Sequence, residues 1–127
     1  MSKEAEAARA IAIRDHLLPL IRVHGAMQEV SGAAGRMAVW KAGSLTCAVR
    51  SPFTPWLAEE PPAASYEQAI SRQRAKPALP WALDVWHGHK VLSLQWDDKD
   101  RIEVISFARG TWEAEALAMG SQKDLTR

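Results

Sequence analysis

Cysteine is almost missing from this chain. Cys47 stands alone among 127 residues, so no disulfide can form within it and nothing marks an oxidising compartment. Structural zinc sites built from several thiolates are excluded on the same count. Charge of one sign is also missing: 16 Lys and Arg face 15 Asp and Glu, a formal net charge of +1. A protein that grips a nucleic-acid backbone usually carries a clear basic bias, so that class starts weakened, with room left for a small basic patch. No uninterrupted apolar run is long enough to span a bilayer. The opening Met1-Ser2-Lys3-Glu4-Ala5-Glu6 is polar and acidic, unlike a secretory leader. These features lead us to expect a soluble, cytoplasmic protein without a membrane role.

What is present supports a core. Hydrophobic residues make up 47% of the chain, enough for one domain that buries about two-thirds of its unfolded surface. The aromatic set is lopsided, with 6 Trp against 2 Phe and 1 Tyr. Tryptophan fills the cores of small domains and also anchors binding surfaces, so position along the elements has to decide its role.

Residues 2–24 read as a helix. Ser2 can cap it, Glu4 and Glu6 complement its positive end, and Arg22 and His24 suit its negative end before Gly25. Ala10, Ile13, Leu17 and Leu20 form an apolar stripe at helical spacing, while Pro19 removes a hydrogen bond and predicts a kink or break. The glycine-containing stretch 25–35 reads as a connector. Strands over 36–41 and 44–50 flank Ala42-Gly43 as a tight turn, which places Ala38, Trp40, Leu45, Cys47 and Val49 on one core face.

The segment 51–64 carries Pro52, Pro55, Pro61 and Pro62 and cannot be a central strand or a helix interior. Ser65-Tyr66-Glu67-Gln68 fits a capping box opening a short helix to about residue 75. The strongest pattern follows. Strands 81–87 and 90–96 can pair around Gly88-His89, setting Trp81 against Trp96, Leu83 against Leu94 and Val85 against Leu92. After the polar turn Asp97-Asp98-Lys99-Asp100, a strand over 102–107 places Ile102 and Val104 beside Trp96 and Leu94. The same register aligns Trp86, Val91 and Phe107 on the opposite face. Thr111 caps a last helix carrying Trp112, Leu117 and Met119, which Gly120 stops.

The expected fold is therefore α+β, an antiparallel sheet of about five strands (a hairpin plus a three-stranded meander) packed by helices in the order α-ββ-α-βββ-α. Residues 1–120 form the single domain, and 121–127 a flexible tail.

Chemistry-bearing clusters are thin. Asp84, His87 and His89 offer imidazole and carboxylate ligands for a divalent metal, but the two histidines sit at a hairpin tip and Asp84 faces the other way, so a solvated turn is the simpler reading. Asp97, Asp98 and Asp100 could hold a hard cation, yet aspartates build turns by bonding their own backbone. Gly32-Ala33-Ala34-Gly35-Arg36 lacks the lysine and hydroxyl of a phosphate-binding loop. Cys47 points inward without a catalytic partner, and Ser44 and Ser51 lack a nucleophile motif. Arg72, Arg74 and Lys76, with Arg109, form the one basic cluster.

Large apolar side chains are better placed. Trp56 and Leu57 lie in the proline-rich loop, and Trp86 and Phe107 on the sheet back, where they either pack or meet a partner. These residues point first to a non-enzymatic binding protein that uses no cofactor and occludes or bridges a macromolecular partner through Trp56, Leu57, Trp86 and Phe107. A homodimer is compatible with that reading. The alternatives are a nucleic-acid binder using Arg72, Arg74, Lys76 and Arg109, and a small metal-dependent hydrolase around Asp84, His87 and His89.

Overall fold

The computed structural model describes residues 2–30, 35–51, 56–57 and 79–120. Among them the elements run α1 (Lys3–His24), β1 (Ala26–Val30), β2 (Gly35–Ala42), β3 (Leu45–Arg50), β4 (Trp81–His87), β5 (His89–Trp96), β6 (Ile102–Phe107) and α2 (Trp112–Ala118). The six strands form one antiparallel sheet in simple chain order, β1-β2-β3-β4-β5-β6. The α+β class and the antiparallel sheet are as the sequence predicts, with one strand more. The helix expected near residues 65–75, the tail over 121–127 and most of the proline-rich loop lie outside the described residues.

α1 begins where Ser2 Oγ accepts the Ala5 N–H at 3.1 Å. It does not break at Pro19. A proline inside a helix costs about 3 kcal/mol. Here Ala10, Ile13 and Leu17 before it and Ile21 after it are all fully buried, and that apolar burial outweighs the lost bond. Ile21, not Leu20, continues the buried stripe. Leu20 instead meets the second helix end, where a Cβ on Gly120 (φ +74°) would stand 2.7 Å from a Leu20 methyl.

β1 occupies part of the stretch read as a connector. Its pairing with β2, Met27 opposite Ala38 and Gln28 opposite Met37, satisfies backbone groups, and Met27 packs on the core. One inward methionine between glycines leaves little alternation to detect.

At the β2–β3 turn, Gly43 takes φ +60° and shares the loop with Ser44, so Ala42 faces Leu45, Trp40 faces Cys47 and Ala38 faces Val49. The register is two residues from the expected one. Because side chains alternate with period two, the same residues still face the core.

β4 and β5 pair as expected, with Trp81–Trp96, Leu83–Leu94 and Val85–Leu92 opposite one another. Near the tip the register shifts, so Trp86 faces Lys90, His87 faces His89, and Gly88 (φ +81°) makes the turn. β6 sets Ile102 beside Trp96 and Val104 beside Leu94, then shifts as well, placing Ser106 opposite Ser93 and Phe107 opposite Leu92. This bulge overturns the expected alignment of Phe107 with Val91 and Trp86. The extra residue, Ile105, is left 52% exposed, and Phe107 turns to the core side, its ring 5.8 Å from Trp112. Val91 is buried in the core as well.

One apolar layer lies between the sheet and the two described helices. It comprises Ala10, Ile13, Leu17 and Ile21 of α1, Leu45, Cys47, Val49, Leu83, Val85, Leu92, Leu94 and Trp96 of the sheet, and Trp112 and Ala116 of α2. No helix among the described residues is long and apolar enough to cross a membrane.

Candidate functional site: the tryptophans, the hairpin tip and the second helix

The four nominated apolar anchors fall into different environments. Leu57 is buried at 7% exposure and belongs to the core. Trp56 packs against that core, edge-on to Trp81 with ring centroids 6.2 Å apart. Trp81 stacks on its cross-strand partner Trp96 at 5.9 Å, and the Arg14 guanidinium lies over Trp96 at 4.8 Å. Arg14 is itself buried. Its Nε and Nη2 meet Asp15 Oδ1 at 2.9 and 2.8 Å, while Nη1 has no acceptor, a cost that the indole face offsets in part. Phe107 is spent on Trp112.

Trp86 differs from these. Of the 6 tryptophans, Trp96 and Trp112 are core residues and Trp40, Trp56 and Trp81 pack against the core, leaving Trp86 outside the core that the described residues form. Trp86 lies on the sheet face opposite α1, beside Thr46 and two residues from Asp84. The Lys90 ammonium sits 5.4 Å from its ring centroid and 4.0 Å from Asp84 Oδ1. Arg50 shares this face, donating to the carbonyls of Pro80 and Leu79. Burial of its guanidinium lowers the Arg50 pKa, opposed by the charge of Asp84. A partly exposed tryptophan is thus bordered by charges of both signs.

The metal-ligand candidates separate. Asp84 is engaged with Lys90 on one face, whereas His87 turns toward α2 and reaches Glu115, with Nε2 3.7 Å from Oε2. Glu115 also accepts from Ser44 Oγ at 2.6 Å and Ser44 N–H at 3.3 Å. Those two bonds hold its carboxyl below the ordinary range. Sequence reading missed Glu115 because Ser44 and Glu115 are 71 positions apart and only the fold joins them. Among the described residues no three His, Cys, Asp or Glu side chains converge as metal ligands.

Asp97 serves its turn. Oδ1 accepts from the backbone of Lys99 and Arg101, and Oδ2 pairs with Arg101 Nε. These bonds, that from Arg101 N–H foremost, lower its pKa. Burial pushes the Cys47 thiol up to about 12, so it stays protonated near neutrality and is a poor nucleophile.

Arg72, Arg74 and Lys76 lie outside the described residues. Arg109 donates to Glu113 Oε2 at 2.9 Å. Glu113, with a side chain only 5% exposed, also accepts from Arg9 and from the Gly110 N–H, and so ties α1 to the start of α2. Burial works against its charge, but the hydrogen bonds from Arg9, Gly110 and Arg109 outweigh it and hold the carboxyl below its usual range. A carboxyl depressed in the folded state stabilises above its unfolded pKa of about 4.3 and loses that contribution as pH falls through the lower folded value. Glu113→Ala should therefore cost about 2 kcal/mol near neutral pH. Urea unfolding of wild type and variant at about pH 7 and about pH 3 should show the gap narrowing in acid.

No protein-family model, curated protein or solved structure matches the chain.

Proposed function

We propose that this chain is a non-enzymatic binding protein that holds a partner protein against the sheet face opposite α1 and α2, with Trp86 as the anchor. The supporting observation is that, among the described residues, Trp86 is the tryptophan that stands outside the core cluster. A large ring outside the apolar layer of the described residues is suited to a contact, and Trp and Arg are the residue types that dominate interface energetics. Lys90 and Asp84 beside it supply a polar rim that fixes register and disfavours wrong partners. Binding would occlude or bridge the partner, and a second copy of the chain is one candidate for it.

The test is a parallel capture from the native cell with wild type and Trp86→Ala. A protein held by wild type should lose about 2 kcal/mol or more of affinity for the variant, which should keep the wild-type circular dichroism spectrum. If the same partner binds both equally, the anchor is elsewhere. Light scattering of both forms separates self-association from capture of another protein.

A further inference from the structure

Strand register lines up one row of side chains across the sheet face opposite α1. Lys41 of β2, Thr46 of β3, Trp86 of β4 and Lys90 of β5 are successive cross-strand partners. Residues directly opposite one another in antiparallel strands share a face, so the half-buried indole stands between two exposed lysines. The row lies beside the β2–β3 and β4–β5 turns, where Lys41, Gly43, Ser44, Gly88 and Lys90 are all exposed, and a partner reaches it from that end of the sheet. Lys41 has no carboxylate partner among the described residues. Lys90 meets Asp84 Oδ1 at 4.0 Å, and its side chain is 46% exposed. An exposed pair of this kind is worth about 1 kcal/mol or less, so Lys90 is available to a second carboxylate.

We infer that the partner protein presents an acidic segment, extended across this row, with an apolar side chain on Trp86 and a carboxylate at each lysine. The inference rests on the reading of Trp86 as the anchor and gives that partner its chemistry. Strands lie about 4.8 Å apart, so Lys41 and Lys90, three strand spacings from one another, are separated by about 14 Å across the sheet. An extended chain rises about 3.3 Å per residue and turns alternate side chains to one side, so positions i and i+4 span about 13 Å with i+2 between them on the same side. The complementary pattern is acid-x-apolar-x-acid. Single-stranded nucleic acid also stacks on indoles set among lysines. Asp84 argues against it, because it places a carboxylate on the same face two residues from Trp86, where it would repel a phosphodiester backbone but accept from a peptide N–H. Glu103, another carboxylate on this face, lies in the row of Arg50, Ala82 and Gln95 at the other end.

The test is fluorescence anisotropy of a dye-labelled synthetic peptide, with two glutamates four positions apart and a leucine midway, titrated with the full chain. Saturable binding is expected that weakens as salt rises and is about tenfold tighter than for the same peptide with glutamines in place of the glutamates. Lys41→Glu and Lys90→Glu should each weaken it about fivefold or more, and Trp86→Ala about thirtyfold. Lys99→Glu, an equal change of charge on the turn after β5, should bind as wild type. Trp86→Thr serves as a second variant should the alanine form fold poorly. Equal binding of the two peptides, lost in Trp86→Ala, would overturn the acidic assignment and leave the anchor standing. Binding that survives Trp86→Ala overturns the anchor and the inference together. No saturable binding at submillimolar chain, or tighter binding of a thymidine oligonucleotide than of the glutamate peptide, also overturns the inference.

Discussion

Leu94→Ala should lower the unfolding free energy by about 3 kcal/mol or more, while Gln95→Ala, one residue along, should stay within about 1 kcal/mol of wild type. Leu94 is fully buried between Leu83 of β4 and Val104 of β6, at the centre of the apolar layer. Removing its branched end forfeits transfer free energy and leaves a cavity that rigid neighbours on both sides cannot fill. Gln95 points to the opposite face, where it pairs with Ala82 and Glu103. The contrast follows from period-two alternation, and a register slipped by one residue would reverse it. Denaturant unfolding of the two variants gives the difference directly. A domain of this kind has roughly 5–15 kcal/mol in total, so the Leu94 change removes a large share.

The second large effect is expected at Trp112. Its side chain is buried at 2% exposure, its Nε1–H donates to the Ala108 carbonyl at 2.6 Å, and its ring tilts against Phe107. α2 spans 7 residues, far short of the length at which a helix holds itself together in water, so it depends on this docking. Trp112→Ala should cost about 3–5 kcal/mol and release α2, which also breaks the Glu113–Arg9 and Glu115–Ser44 contacts. Trp112→Phe keeps most of the ring but gives up the indole hydrogen bond, and should cost nearer 1 kcal/mol from that loss. Hydrogen exchange should show the α2 amides losing protection in the alanine variant first. An alanine variant as stable as wild type would remove Trp112 from the core.

The central hairpin was legible in the chain because its inward positions are all apolar and its outward ones mostly polar. Trp81, Leu83 and Val85 against Leu92, Leu94 and Trp96 admit one register. The two bulges were not legible. Their positions are set by tertiary needs, such as Phe107 reaching Trp112, that leave no trace in the local pattern. Pro19 misled for the reverse reason: a local rule gave way to burial on both sides of it.

The candidate sites divide in the same way. Trp86 could be named from the alternation of β4, but its exclusion from the core depends on where the helices pack and on the shift that sets it opposite Lys90. His87 was visible as a titratable residue at a tip. Its partner Glu115 was not, since no periodicity links a strand end to a helix so far along the chain. Arg14 interrupts the apolar stripe of α1, and its stacking on Trp96 explains how a charge is tolerated there.

That division gives Trp86 its weight in the account: five tryptophans build or line the apolar layer, and the sixth stands on the face the described helices leave alone. The most direct measurement is urea unfolding of Trp86→Ala beside wild type. Its midpoint should correspond to within about 1 kcal/mol of the wild-type stability, because the half-buried ring stands outside the apolar layer formed by the described residues. A loss of about 3 kcal/mol or more would place the ring in the core and contradict its role as an anchor.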